Sequence, residues 1–188
     1  MRKWLIGFFV FAIIVVGAGV GALYYAKPDR NLDLAYENVP LKDRALSMAK
    51  RMSTELSLTD EDIVNLAKKS LAEQPQVEKD VLVTGADFRL EGDLLHADLN
   101  VIWKDKISAG LKVDYRLRWA DPNVIATAES ARLKGVKLPL SMFADRVIPI
   151  GDRLPELLHI KSLNWGDGKV DVLFKKPSMN DLRSLIGG

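Results

Sequence analysis

The sequence predicts an α+β protein: an N-terminal transmembrane helix, then two helices, then a curved antiparallel sheet of about five to six strands carrying a proline-broken helical insert. Three observations carry this. Residues 4–26, WLIGFFVFAIIVVGAGVGALYYA, contain no charge. Residues 41–71 repeat apolar side chains at helical spacing, and residues 94–119 alternate apolar with polar side chains.

At about 1.5 Å per residue the uncharged run is long enough for a hydrocarbon core of about 30 Å. Trp4 stands at one end and Tyr24-Tyr25 at the other, where interfacial aromatics are favoured. The h-region of a cleaved signal peptide is usually about 7–15 residues. This run is longer, which favours a retained anchor, while Gly17-Ala18-Gly19 keep a cleavage reading open. Lysine and arginine are nearly balanced across the span, with Arg2 and Lys3 before it and Lys27 and Arg30 after. The short basic leader has the form of a signal anchor, which places the bulk of the chain outside the cytoplasm in a single-pass cell-membrane protein. Gly17 and Gly21 form G-x-x-x-G, a spacing that lets two membrane helices approach closely and makes a homodimer through the anchor an expectation. The expected organisation is therefore 1–26 anchor, 27–40 linker or extended stalk, and 41–188 extracytoplasmic domain.

The first helix is expected over residues 41–56, with Leu41, Ala45, Met48, Ala49, Met52 and Leu56 along one stripe. A second opens at LTDEDIVNL, where Thr59 is the N-cap and Asp60, Glu61 and Asp62 complement the positive end of the helix dipole. Successive side chains point around a helix rather than converging, so capping, not metal binding, explains these carboxylates.

From residue 79 the period becomes two. Leu95, Ala97, Leu99, Val101 and Trp103 share one face of a strand, and Leu111, Val113, Tyr115, Leu117 and Trp119 share one face of the next. Turn signals at Glu91-Gly92-Asp93, Lys104-Asp105-Lys106 and Asp121-Pro122-Asn123 leave no room for parallel crossovers. Residues 124–135 read as a fourth strand. Residues 160–176 form a last hairpin turning at Gly166-Asp167-Gly168, and a short helix is expected around residues 180–185. Between these, residues 141–148 are expected to make two helical turns ended by Pro149. Asp152 starts a second short helix with Pro155 in its first turn.

The composition excludes several classes. There is no cysteine, hence no disulfide, thiol nucleophile or thiolate metal site. Of 27 Lys and Arg, Arg2 and Lys3 precede the apolar run, which leaves the remainder at parity with 25 Asp and Glu. That neutrality argues against a nucleic-acid partner. The histidines, His96 and His159, are isolated in sequence and give no zinc or triad pattern. Ser141 lacks the G-x-S-x-G setting of a nucleophile elbow and reads as an N-cap. No catalytic residue, cofactor or metal site is expected, and the chain is not expected to be an enzyme.

ARLKGVKLPLSMF, LPELLHIKSLNW and KVDVLF, together with the apolar leader and LTDEDIVNL, make the chain resemble the YpmS-like family of membrane-anchored proteins of Gram-positive bacteria. Leu138-Pro139-Leu140 matches that family's proline passage in kind, although Ser141 stands where a second proline is usual. The resemblance implies a cell-envelope location and a helix-plus-sheet ectodomain; it implies no activity.

Two functions follow as expectations. In the first, the insert is a lid on an apolar tunnel. The ligand is then a lipid or lipid-linked envelope precursor, lined by Phe143, Val147, Ile148, Leu154 and Leu157 against Val113, Tyr115 and Leu117. In the second, the interior is filled by side chains. The domain is then a structural or adaptor subunit that meets a membrane-protein partner through its charged face, with Arg116 and Arg118, or through the anchor glycines.

Overall fold

The computed structural model describes residues 21–22, 24–148, 150, 154, 158–166 and 168–176. The apolar run up to residue 20, with Gly17, lies outside the described residues, as do Leu157, Pro149, the start of the second insert helix at Asp152 and the helix expected at 180–185. Among the described residues no helix is long and apolar enough to cross a membrane. Gly21, Ala22 and residues 24–26 are helical.

The elements are α1 (Leu41–Lys50), β1 (Glu55–Thr59), α2 (Asp60–Glu73), β2 (Gln76–Glu78), β3 (Val81–Glu91), β4 (Leu94–Trp103), β5 (Ile107–Ala120), β6 (Asn123–Leu133), β7 (Val136–Lys137), a 3-10 turn (Leu140–Met142), β8 (Arg146–Ile148), β9 (Ile160–Gly166) and β10 (Lys169–Phe174). The protein is α+β, as its periodicities require. The main sheet runs β2-β3-β4-β5-β6-β7 with β8 as a further partner of β6, and a smaller sheet runs β1-β10-β9. Every pairing is antiparallel.

Three expectations are corrected. The first helix stops at Lys50 rather than running to residue 56. Met52 takes a left-handed φ of 55°, Ser53 N–H donates to Met48 O at 3.1 Å and Met52 N–H to Ala49 O at 2.9 Å. This is a Schellman ending without its usual glycine. The chain released by it forms β1, which pairs with β10. The closing hairpin therefore belongs to a second sheet, although Val170, Val172 and Phe174 are buried on one face as their spacing predicts. Finally, residues 141–148 are not two helical turns. A single 3-10 turn ends at Met142, and Arg146–Ile148 pair with Val124–Ala126 as an edge strand. β-branched Val147 and Ile148 fit that extended strand better than a short helix.

α2 opens as expected. Thr59 accepts from Asp62 N–H, and the Asp62 carboxylate accepts from Thr59 N–H at 3.0 Å, closing a capping box. Asp62 also receives Arg44 at 2.7 Å, which ties α1 to α2. Burial pushes the Asp62 carboxyl upward, but Arg44 and the Thr59 backbone together hold it below its ordinary value.

Residues 27–40 have no regular structure, yet they are not a free stalk. Asn100 Nδ2 donates to Arg30 O at 2.7 Å and Ala86 N–H to Asp33 O at 3.0 Å. Gly85, Asn100 and Gly110 form one row across β3, β4 and β5. The two glycines make the channel in which this segment lies. A Cβ at Gly85 would overlap the Leu32 carbonyl, and one at Gly110 would stand 3.1 Å from Pro28 Cα.

Candidate functional site

Strand register sorts the main sheet into two faces. On the apolar face, cross-strand rows read Leu90-Leu95-Tyr115-Ala128, then Phe88-Ala97-Val113-Ala131, then Ala86-Leu99-Leu111-Leu133. At the end marked by the 91–93 and 121–122 turns, Leu90, Leu95, Leu117, Val124 and Ala126 are sealed under Met48 of α1 and Leu58, Ile160, Leu163, Val170, Val172 and Phe174 of the small sheet.

Toward the other end the packing divides. Val83, Val101 and Ala109 are buried with help from Ala26, Leu34, Leu71 and Val77. Val113, Ala128 and Ala131 are covered by Leu138 and Phe143. Leu111 touches both groups, and the row Leu99-Leu111-Leu133 between them stays half-buried.

The two margins of the sheet meet. Arg146, on the strand beyond β6, donates to Glu78 Oε1, on the strand beyond β3, at 2.8 Å. Strands at opposite ends of the sheet order thus meet through one ion pair. Tyr115 lies close enough to feel both charges. Burial pushes its phenol above the ordinary value; Arg146 opposes that rise and Glu78 adds to it.

The residues expected to line a ligand site fall in three places. Val113, Tyr115 and Phe143 come together on one apolar patch. Leu117 and Leu154 join the sealed core at the other end. Val147 and Ile148 sit on the edge strand, 60% and 36% exposed. Sequence reasoning missed Leu133, Leu138, Glu78 and Arg146 as members of this region. Leu133 was detectable only through its register with Leu111, and the ion pair only through the meeting of the sheet's margins.

The outer face carries two polar rows, Arg89-His96-Asp114-Ser130 and Asp87-Asp98-Lys112-Arg132. They line an open cleft of ≈ 390 Å³ with Arg30 at its rim. Arg30 reaches Asp98 at 2.9 Å and Asp87 at 3.4 Å. His96, isolated in sequence, has two carboxylate neighbours in space: Nδ1 is 2.7 Å from Asp114 and Nε2 is 3.3 Å from Glu91. The Ser130 hydroxyl donates to the other oxygen of Asp114. That Ser130 bond and His96 hold the Asp114 carboxyl below its usual value.

The order of this cluster decides its chemistry. Asp114 sits between serine and histidine, so the Ser130 proton is directed at a carboxylate and His96 is not placed to activate the hydroxyl. The cluster fixes the outer face of β4, β5 and β6. Among the described residues no group of three or more His, Cys, Asp or Glu is arranged to hold a metal ion. His159 is exposed and apart from this cluster. Arg116 is occupied by Glu129 and Asp93, whereas Arg118 is exposed.

Compared with family models, curated proteins and solved structures, the chain matches none.

Proposed function

We propose that this chain is a membrane-anchored, extracytoplasmic binding domain whose ligand is apolar, a lipid or lipid-linked envelope precursor. The uncharged leader and the YpmS-like resemblance support the membrane and envelope setting. One observation carries the ligand: the leucine row 99-111-133, continuous with Val113, Tyr115 and Phe143, is left half-buried. Fully burying a leucine is worth about 1.5–3 kcal/mol. An acyl or isoprenoid chain laid along this row gains part of that at each position, and the Glu78–Arg146 pair near Tyr115 bounds its path. The binding residues in this reading are Leu99, Leu111, Leu133, Val113, Tyr115 and Phe143.

The test is native mass spectrometry on the full chain released from micelles, beside a Leu111→Trp variant that fills the row. A lipid of fixed mass and stoichiometry on the native chain, lost from an equally stable Leu111→Trp, is the expected result. A native chain that carries no lipid, even after incubation with envelope lipids, sinks the reading. The adaptor reading then takes its place, supported by the open charged cleft on the outer face and tested by cross-linking from Arg118→Cys in native membranes.

A further inference from the structure

We propose that the rim of the main sheet around the β4–β5 turn is a second membrane-contact surface, one that seats on anionic lipid headgroups. This rests on the reading of residues 4–26 as a retained anchor.

The first support is where the chain emerges. Residues 24–26 are helical and continue the uncharged run toward the N-terminus. They end beside the sheet: a Cβ at Gly135, in the β6–β7 turn, would stand 3.4 Å from the Tyr25 hydroxyl, and Pro28 lies against Gly110 in β5. The anchor thus enters at the same end of the sheet as the 79–80, 104–105 and 134–135 turns; Lys104 N–H donates to Asp80 O at 2.8 Å across two of them.

The second support is what those turns display. Trp103, at the tip of β4, is 44% exposed, with the Lys104 ammonium 4.9 Å from its ring centre. Lys27 stands 5.2 Å from the Tyr24 ring, and Lys134, 5.4 Å from the Tyr25 ring, is held by Asp29 at 2.9 Å. Aromatic bodies with ammonium tips suit the headgroup layer, where the ring rests on glycerol and acyl carbon and the charge meets phosphate. Lys134 and Asp29 neutralise each other, and Lys27, Lys104 and Lys106 then outnumber Asp105, while the Lys79-Asp80 turn adds one of each sign. A formally neutral domain has gathered a positive excess where an anionic leaflet would lie.

The absence of cysteine permits a clean test. Full chains bearing Trp103→Cys, Val136→Cys or Met52→Cys are spin-labelled and reconstituted in vesicles. The vesicles are phosphatidylcholine alone or phosphatidylcholine with phosphatidylglycerol, and nickel chelate is present on both sides. Val136, 53% exposed on β7, is the second rim site, and Met52, 84% exposed beside the small sheet, is the aqueous reference.

With phosphatidylglycerol, relaxation by the chelate at 103 and 136 should fall severalfold below that at 52, and molar salt should restore it. Labels at both rim sites that relax like position 52, in chains that resist alkaline carbonate extraction, overturn the rim while the anchor stands. Equal shielding in pure phosphatidylcholine overturns the anionic-headgroup part. Chains that carbonate extracts overturn the anchor, and the rim with it.

Discussion

The two ends of the main sheet are covered by different kinds of material. At the end of the 91–93 and 121–122 turns, α1, β1 and the β9–β10 hairpin, drawn from both ends of the sequence, converge as a second layer. Met48, Val124 and Val170 are all 2% exposed or less there. At the end of the 104–105 and 134–135 turns the cover is local and partial: the last turns of α2 on one side, residues 138–143 on the other, and a half-buried leucine row between. A sheet of continuous alternation has thus been given a finished core over one half and an unfinished one over the other. Finishing the second half falls to a ligand in the function proposed above.

The largest expected contrast is between two phenylalanines. Phe174→Ala in the sealed half should cost about 3–5 kcal/mol, since it opens a cavity among fixed neighbours. Phe143→Ala should cost less than half as much, because its half-buried ring lies at the edge of its patch and its loss leaves a groove open to solvent. Urea denaturation followed by circular dichroism measures both, and equal costs would erase the distinction between the halves.

A smaller effect belongs to the end of α1. A left-handed conformation costs a side-chain-bearing residue about 1–2 kcal/mol, and Met52 is almost fully exposed, so its side chain contributes little in return. Met52→Gly should raise the urea midpoint by about 1 kcal/mol equivalent. No gain would mean that Met52 packs on something in the assembled protein.

The smallest effect is read through pH. The Asp114 carboxyl is held below its ordinary value of 3.8, so its contribution is fully present above that value. It fades as pH falls through the lower, folded-state value. Asp114→Asn should lower stability modestly at neutral pH and flatten the acid limb of a melting-temperature profile. An unchanged acid limb would show that the Ser130–Asp114–His96 cluster is decorative, and that the outer face is not tied together there.

Much of this architecture is legible in the sequence, for reasons that can be located. β4 and β5 announce themselves because one face is apolar and the other wet. The Thr59 capping box is legible because it is local, three residues apart. The closing hairpin is legible from Gly166 and Gly168, but its membership of a second sheet is not. That depends on β1, which follows a helix ending on Met52 with no glycine or proline to mark it. The apparent helical stripe of residues 41–56 carried straight through that hidden stop. The insert failed differently: Ser141 to Ile148 has the spacing of a short helix, but pairing Val147 with Ile125 along an open sheet edge satisfies more backbone than two isolated turns can. His96, Asp114 and Ser130 are 18 and 16 residues apart, and only register brings them together.

The docked segment at residues 27–34 bears on reach. Fourteen residues of free linker, from 27 to 40, could extend about 45–50 Å, and a domain on such a leash would sweep a wide volume above its anchor. Hydrogen bonds at Asn100 and Ala86 shorten that leash almost to nothing. In the anchored reading proposed above, the domain stays close to the bilayer while it tilts onto or away from the headgroups, so its leucine row remains near the leaflet that would supply the ligand. What it gives up in range it would recover in local concentration, since a ligand drawn from that leaflet is always close by.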